Sequence, residues 1–250
     1  MLSARRARAA IAGLLAAVLL GAAAGLWAVQ RLGGWRYLAH RLFTLEPWPT
    51  YTQRASQLDL LSLRDADLVL LGDSHVAAGE WHEWLPGARV ANRGIPGDDV
   101  PGLRRRLPGL GLSPKHTAVV QVGTNDLLFR DPADVFDDYT ALYRELSDLG
   151  LRRVALTTLP GVNNGVRRTR IAAADVAALN DSLRAYAEAP GGPTLLELAG
   201  ALGTAAGVLP AALTDDGVHL RGAGYAAWAE QLRQSGLLDA ERPAGLPQTE

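Results

Sequence analysis

The chain has 250 residues, of which 48% are hydrophobic and 20% are charged, and its 25 basic residues nearly balance its 26 acidic ones. The formal charge of −1 excludes a protein that binds nucleic acid through a strongly basic surface. The absence of cysteine excludes disulfides, thiolate zinc sites, iron–sulfur clusters and a cysteine nucleophile. From the length, we expect one folded domain with an appendage. Any covalent chemistry of this protein must use hydroxyls, amines or carboxylates.

The N-terminal segment has the pattern of a membrane helix or of a secretion signal. Residues 9–29 carry no charge and follow three arginines. As a helix, this stretch would rise about 30 Å, which matches the hydrocarbon core of a bilayer. We expect a retained signal anchor over residues 1–30, a single-pass transmembrane helix in the cell membrane with the rest of the chain on the outer side. Secretion after signal-peptide cleavage is the alternative, because three consecutive alanines offer a cleavage site.

The remainder of the chain divides into three segments. Residues 31–65 are predicted to form a juxtamembrane neck, in which Pro47 and Pro49 would break a helix. Residues 66–238 are assigned to the single folded domain. Residues 239–250 are assigned to a C-terminal tail.

Short apolar runs alternate with longer helical patterns from residue 66 onwards. The apolar runs fall at residues 68–71, 89–91, 117–122, 154–158 and 194–198, and the helical patterns at 75–84, 132–149, 170–188 and 222–237. Continuous apolar runs of this length are typical of strands that are buried on both faces. The alternation predicts an α/β fold with a parallel sheet and helices on both faces, and it places ligands at the carboxyl ends of the strands.

A serine and a histidine are the candidates for nucleophilic chemistry. Ser74 follows the first apolar run at the start of a predicted helix, where a serine alone more often serves as an N-cap. A serine hydroxyl attacks only when a base takes its proton. Asp216 and His219 lie three residues apart in a glycine-containing turn, so the carboxylate can orient the ring while its other nitrogen acts as that base.

Two further strand ends carry hydrogen-bond donors. Gly97 follows the second apolar run and Asn125 follows the third. Attack on an ester carbonyl builds an oxyanion, which needs fixed donors such as a backbone N–H at Gly97 and the side-chain amide of Asn125. Each segment alone is a common turn sequence, but four such segments in this order indicate one site.

These residues resemble the four sequence blocks of the SGNH hydrolases, also called the GDSL lipase/esterase family. The blocks are Gly72-Asp73-Ser74-His75, Gly97-Asp98, Gly123-Thr124-Asn125-Asp126 and Asp216-Gly217-Val218-His219, and the resemblance covers roughly residues 66–237. It implies a three-layer α/β/α sandwich around a five-stranded parallel sheet, as in flavodoxin. It also implies that Ser74 is the nucleophile, His219 the general base and Asp216 its orienting partner, with an oxyanion hole formed by Ser74, Gly97 and Asn125. The family's usual leucine after the serine is His75 here, a position that carries no proton-transfer role.

The resemblance implies acyl transfer to Ser74 and hydrolysis of the acyl-enzyme, without metal or cofactor. We expect a membrane-anchored serine ester hydrolase whose partner is a small-molecule, lipid or glycan ester. The same residues would serve an O-acetyltransferase or deacetylase of cell-envelope glycans, or would persist in a catalytically silent envelope-binding module. No nucleic-acid partner is expected, and the oligomeric state stays open.

Two features bear on substrate choice. Trp81, Trp84 and Leu85 follow the serine on a predicted helix and would either line an acyl pocket or pack in the core. The segment 161–170 carries three arginines and would either meet a polar headgroup or sugar, or form a solvated loop.

Overall fold

The computed structural model describes residues 2–31 and 49–238, with the side chains of residues 13–27 and 49–238. The chain separates into two compact units, divided between Trp48 and Pro49. Much of the predicted neck and the whole predicted tail at 239–250 lie outside the described residues.

The N-terminal unit contains one long helix, α1, which extends over Leu2–Arg31. Its described apolar side chains, such as Leu14, Leu19 and Leu20, are exposed. Among the residues that the structure describes, no helix has the length and apolarity needed to cross a membrane. The transmembrane helix predicted for residues 1–30 is therefore not confirmed.

The second unit is built on a five-stranded parallel sheet, as predicted. The strands are β1 (Leu68–Gly72), β2 (Val90–Gly94), β3 (Thr117–Gln121), β4 (Arg153–Thr157) and β5 (Thr194–Leu196). Their spatial order is β2-β1-β3-β4-β5, and all neighbouring pairs are parallel. This order is the flavodoxin-like one: the chain adds β2 on one side of β1 and then adds β3, β4 and β5 in turn on the other side.

Helices cover both faces of this sheet. They are α2 (Pro49–Asp59), α3 (Ser74–Ala77), α4 (Trp81–Trp84), α5 (Val100–Arg106), α6 (Pro132–Asp148), α7 (Ala173–Glu188), α8 (Leu198–Ala201) and α9 (Gly222–Gln234). Alternate residues of β1 point to opposite faces, so that Val69 and Leu71 join the core under α5, α6 and α7, whereas Leu68 and Leu70 join the core under α4, α8 and α9. The two cores make the fold a three-layer α/β/α sandwich.

Two local predictions differ from the structure. The helical pattern at 75–84 divides into α3 and α4. Gly79 lies between them, where a Cβ would come within 2.4 Å of the Trp81 indole. Pro49 does not break a helix but begins α2, since proline at a first helical position lacks only an N–H that no helix bond uses. The α2 helix packs with the domain through buried Leu58 and through Arg54, whose Nε donates to the Gly94 carbonyl at 3.2 Å.

Candidate active site

Ser74 lies where the interior strand β1 ends and α3 begins. The preceding residue, Asp73, caps this short helix by accepting a hydrogen bond from the His75 N–H at 2.9 Å. Ser74 itself is half-buried, and its backbone N–H has no hydrogen-bond partner among the described residues. The hydroxyl and the free N–H of Ser74 are therefore both available at the carboxyl edge of the sheet.

The structure brings Ser74, His219 and Asp216 into one chain of hydrogen bonds. The Ser74 Oγ lies 3.0 Å from the His219 Nε2, and the His219 Nδ1 lies 2.6 Å from the Asp216 Oδ2. Because a carboxylate only accepts, the proton of the neutral ring is on Nδ1, and the lone pair on Nε2 faces the serine. The histidine is thus poised to take the hydroxyl proton.

The carboxylate of Asp216 is held in its ionised form by its surroundings. Its Oδ1 accepts hydrogen bonds from the backbone N–H groups of Val218 at 2.9 Å and His219 at 2.8 Å. Partial burial raises the pKa of Asp216, but the hydrogen bonds from the His219 side chain and from these two N–H groups outweigh it and hold the pKa well below its usual range. A negative charge beside His219 stabilises the imidazolium that forms when the ring takes a proton.

The turn that carries the histidine is fixed from two sides. The Gly217 N–H donates to the Thr214 Oγ1 at 2.9 Å, and the Gly217 carbonyl accepts from the Asn163 N–H at 2.7 Å. Gly217 has a φ of 83°, in the left-handed region that favours glycine. The segment 161–170, with its exposed arginines, therefore packs directly on the turn that carries Asp216 and His219.

The two other predicted donors lie on the loops after β2 and β3. Gly97 is exposed, has a φ of 82°, and its N–H has no hydrogen-bond partner among the described residues. The side-chain Nδ2 of Asn125 donates one hydrogen bond to the Asp98 carbonyl at 2.8 Å, which ties the two loops together. The second hydrogen of this amide has no partner within residues 49–238, so both loops present a donor of the kind that an oxyanion requires.

Two buried carboxyl groups behind these loops were missed by sequence reasoning. Asp98 accepts from the Arg106 Nε at 2.8 Å, and Asp126 accepts from the Val100 N–H at 3.0 Å. Burial raises the pKa of Asp98 to about 6 despite the nearby Arg106, and it raises the pKa of Asp126 to about 7. The one signal in the sequence is that each follows a predicted oxyanion residue directly.

The apolar residues considered for an acyl pocket belong mainly to the core. Trp81 and Leu85 are fully buried and pack with Trp228, whereas Trp84 is half-buried. The His219 side chain is 51% exposed, so the site opens to solvent at the surface. Among the described residues, no cluster of three or more His, Asp or Glu side chains could hold a metal ion.

A serine, a histidine and an aspartate linked in this way at the carboxyl edge of a parallel sheet have the arrangement of a serine acyl hydrolase. The sequence profile of the GDSL-like lipase/acylhydrolase family matches residues 70–227, which is more than half of the chain. The chain therefore belongs to this family, and the resemblance seen in its sequence is confirmed. Comparison with the curated proteins gives no significant match.

Solved structures share the fold at low sequence identity. A Streptococcus pneumoniae protein whose description mentions platelet activating factor superposes with a TM-score of 0.67 at 20% identity, over 74% of this chain and 92% of its own. A GDSL-like lipase from Bacteroides thetaiotaomicron gives 0.60 at 21% identity, over 74% and 96%. An acetyl xylan esterase gives 0.57 at 20% identity, over 68% and 98%. These likenesses support the three-layer fold.

Proposed function

We propose that the chain is a carboxylic ester hydrolase that works through an acyl-enzyme on Ser74. The observation that carries this proposal is the continuous chain of hydrogen bonds from the Ser74 hydroxyl through His219 to Asp216. Membership of the acylhydrolase family supports the same reaction class.

The reaction follows from the positions of these groups. His219 Nε2 takes the proton of the Ser74 hydroxyl as its oxygen attacks the ester carbonyl, and the oxyanion receives hydrogen bonds from the N–H groups of Ser74 and Gly97 and from the Asn125 amide. The protonated His219 then gives its proton to the leaving alcohol. A water molecule, deprotonated by the same nitrogen, releases the acid and restores Ser74.

The direct test removes the nucleophile. Ser74→Ala is expected to abolish hydrolysis of p-nitrophenyl acetate and labelling by a fluorophosphonate probe, because triad serines contribute on the order of 10⁴–10⁶ to turnover. Ser147→Ala, at an exposed hydroxyl near the end of α6, is the matched control and should react like the wild type. Wild-type activity in Ser74→Ala would overturn the assignment.

A second candidate is an acetyltransferase or deacetylase that acts on glycans of the cell envelope. The open position of His219 favours it, because a bulky sugar can reach the acyl-enzyme from solvent. An acetyl xylan esterase also shares the fold. With an acetyl donor and an oligosaccharide acceptor, acetylated oligosaccharide in the products identifies a transferase, and free acetate alone identifies a hydrolase. A protein that fails to label with the fluorophosphonate at Ser74 is a silent module.

The cellular location is proposed from the sequence. We place the catalytic domain on the outer side of the cell membrane, held by the segment 1–30 or released after its cleavage. Fractionation of cells that express a C-terminally tagged chain tests this, and the mass of the recovered protein distinguishes retention from cleavage. Recovery of the intact chain in the cytoplasmic fraction would contradict the proposal.

A further inference from the structure

His75, the residue after the proposed nucleophile, has a buried ring with hydrogen-bond partners on both nitrogens. The residue is 1% exposed. Its Nδ1 lies 3.2 Å from the Asp73 Oδ1, and its Nε2 lies 3.0 Å from the Val218 carbonyl oxygen. The leucine that is usual at this position in the family can make neither contact.

The two partners determine the protonation of this ring. The Val218 carbonyl only accepts, so Nε2 must carry a hydrogen. The Asp73 carboxylate also accepts, and its Oδ2 is buried without a hydrogen-bond partner among the described residues. An isolated charge on fully buried Asp73 would be costly, whereas an imidazolium neutralises it and donates to both acceptors. The geometry therefore favours a charged His75.

The bond to Val218 connects His75 with the catalytic turn. The carbonyl that accepts from His75 belongs to the peptide group between Val218 and His219, and the N–H of the same peptide donates to the Asp216 Oδ1 at 2.8 Å. Two hydrogen bonds therefore join the same two pairs of adjacent residues. Ser74 bonds to His219, and His75, the residue after Ser74, bonds to Val218, the residue before His219. The bond between His75 and Val218 is thus a second link between the segment of Ser74 and the turn of His219.

Charged and titratable groups face His75 from each element packed against it. They are Asp73 at the end of β1, Asp216 and His219 in the turn, where the two imidazole centroids are 5.6 Å apart, and Tyr225 of α9, whose hydroxyl donates to the His75 carbonyl at 3.0 Å. Burial lowers the pKa of His75, but the hydrogen bonds to Asp73 and Val218 and the charges of Asp73 and Asp216 outweigh it, and the net shift is upward.

We propose that His75 is a positioning residue that, as an imidazolium, ties the turn of His219 to the helix of Ser74, and that turnover declines at alkaline pH when His75 loses its proton. The second half of this statement rests on the proposed function of Ser74. The first half can be tested without any substrate.

The protonation state is read by NMR of the full chain labelled with ¹⁵N-histidine. His75→Gln assigns the His75 signals among those of the five histidines. Two protonated ring nitrogens at about pH 7.5, roughly one unit above the ordinary histidine pKa, are expected. A single ring N–H on His75 at that pH would overturn the proposal.

The positioning role is read from steady-state kinetics with p-nitrophenyl acetate between about pH 6 and pH 9. His75→Leu removes both bonds and is expected to lower kcat about tenfold with KM within about twofold. His75→Gln, whose amide can donate to Val218 without charge, is expected to recover most of this loss at neutral pH and to lack the alkaline decline of the wild type.

Two kinetic results would contradict this role. One is a folded His75→Leu protein whose kcat stays within about twofold of the wild type. The other is an alkaline decline in His75→Gln that equals that of the wild type. If the wild type neither hydrolyses the ester nor labels at Ser74, the proposed function fails, while the NMR result still decides the state of His75.

Discussion

Among the individual residues, Asn125 offers the sharpest test of the proposed oxyanion site. Its amide uses one hydrogen to hold the Asp98 carbonyl and has a second to offer the substrate. Asn125→Ala is expected to lower kcat about 10²–10³-fold, because one donor to an oxyanion contributes that much, and to leave KM nearly unchanged. Steady-state kinetics with the acetate ester measures both constants.

The Asn125→Ala protein must also be shown to be folded. Loss of the bond to Asp98 should cost about 1 kcal/mol of unfolding free energy, so thermal unfolding must show a folded protein. Asn125→Asp, which keeps the size of the side chain but has no amide hydrogens, should lose activity to a similar degree. Unchanged turnover in both variants would remove Asn125 from the oxyanion site.

Between neighbouring elements, the turn of Asp216 and His219 and the 161–170 segment are packed too tightly to accept a methyl group at Gly217. A Cβ on Gly217 would lie 2.5 Å from the Asn163 carbonyl oxygen and 3.0 Å from that of Arg167, and the φ of 83° disfavours any other residue. Gly217→Ala is therefore expected to destabilise the fold by about 1–3 kcal/mol and to lower kcat at least about tenfold.

Gly222 is the matched control at the start of α9. Among the described residues, a Cβ on Gly222 would meet no atom within 4 Å outside its own stretch of helix, and the φ of Gly222 is not in the left-handed region. Gly222→Ala should keep wild-type kcat and unfold at the same or a slightly higher temperature. If Gly217→Ala and Gly222→Ala behaved alike, the packing of the turn against the 161–170 segment would have no catalytic role.

Across the domain as a whole, buried titratable groups make the free energy of unfolding depend on pH. The folded state keeps protons on Asp98 and Asp126 up to about pH 6 and 7, whereas the unfolded chain releases them near the ordinary carboxyl pKa of about 4. These two groups therefore contribute most to the free energy of unfolding below about pH 4, and this contribution decreases to zero as the pH rises through 6 and 7. The pKa of His75 is also raised, so its contribution to the unfolding free energy is likewise lost as the pH rises above about 6.5. The pKa of Asp216 is lowered, so its contribution is lost instead as the pH falls into the acid range.

Urea unfolding followed by tryptophan fluorescence measures this dependence. The midpoint is expected to be lower at about pH 8 than at about pH 5. Asp98→Asn, which retains an oxygen for Arg106 but does not titrate, should reduce the difference. A midpoint that rises from pH 5 to pH 8 would show that these carboxyls are ionised in the folded state.

The sheet, and the position of Ser74 at its carboxyl edge, were predictable because their signals are local. The fully buried strands β1 and β3 have apolar interiors, and polar side chains or glycine follow β1, β2 and β3 at the sheet edge. The surroundings of the site were less predictable. That Asp98 and Asp126 are buried depends on packing between segments far apart in the chain, which no local pattern encodes. For the same reason, no local pattern indicates the bond from His75 to Val218, which lies 143 residues further along the chain.

The bond between Ser74 and His219 joins residues that are 145 positions apart in the chain. A nascent polypeptide is made from its N-terminus, so the serine is present long before the histidine exists. Contacts of such large sequence separation form late in folding because they close the longest loops. If the proposed reaction holds, a fragment truncated before residue 219 carries Ser74 without the histidine that would take its proton. Recovery of activity after denaturation would consequently report completion of the entire domain and not formation of its first half.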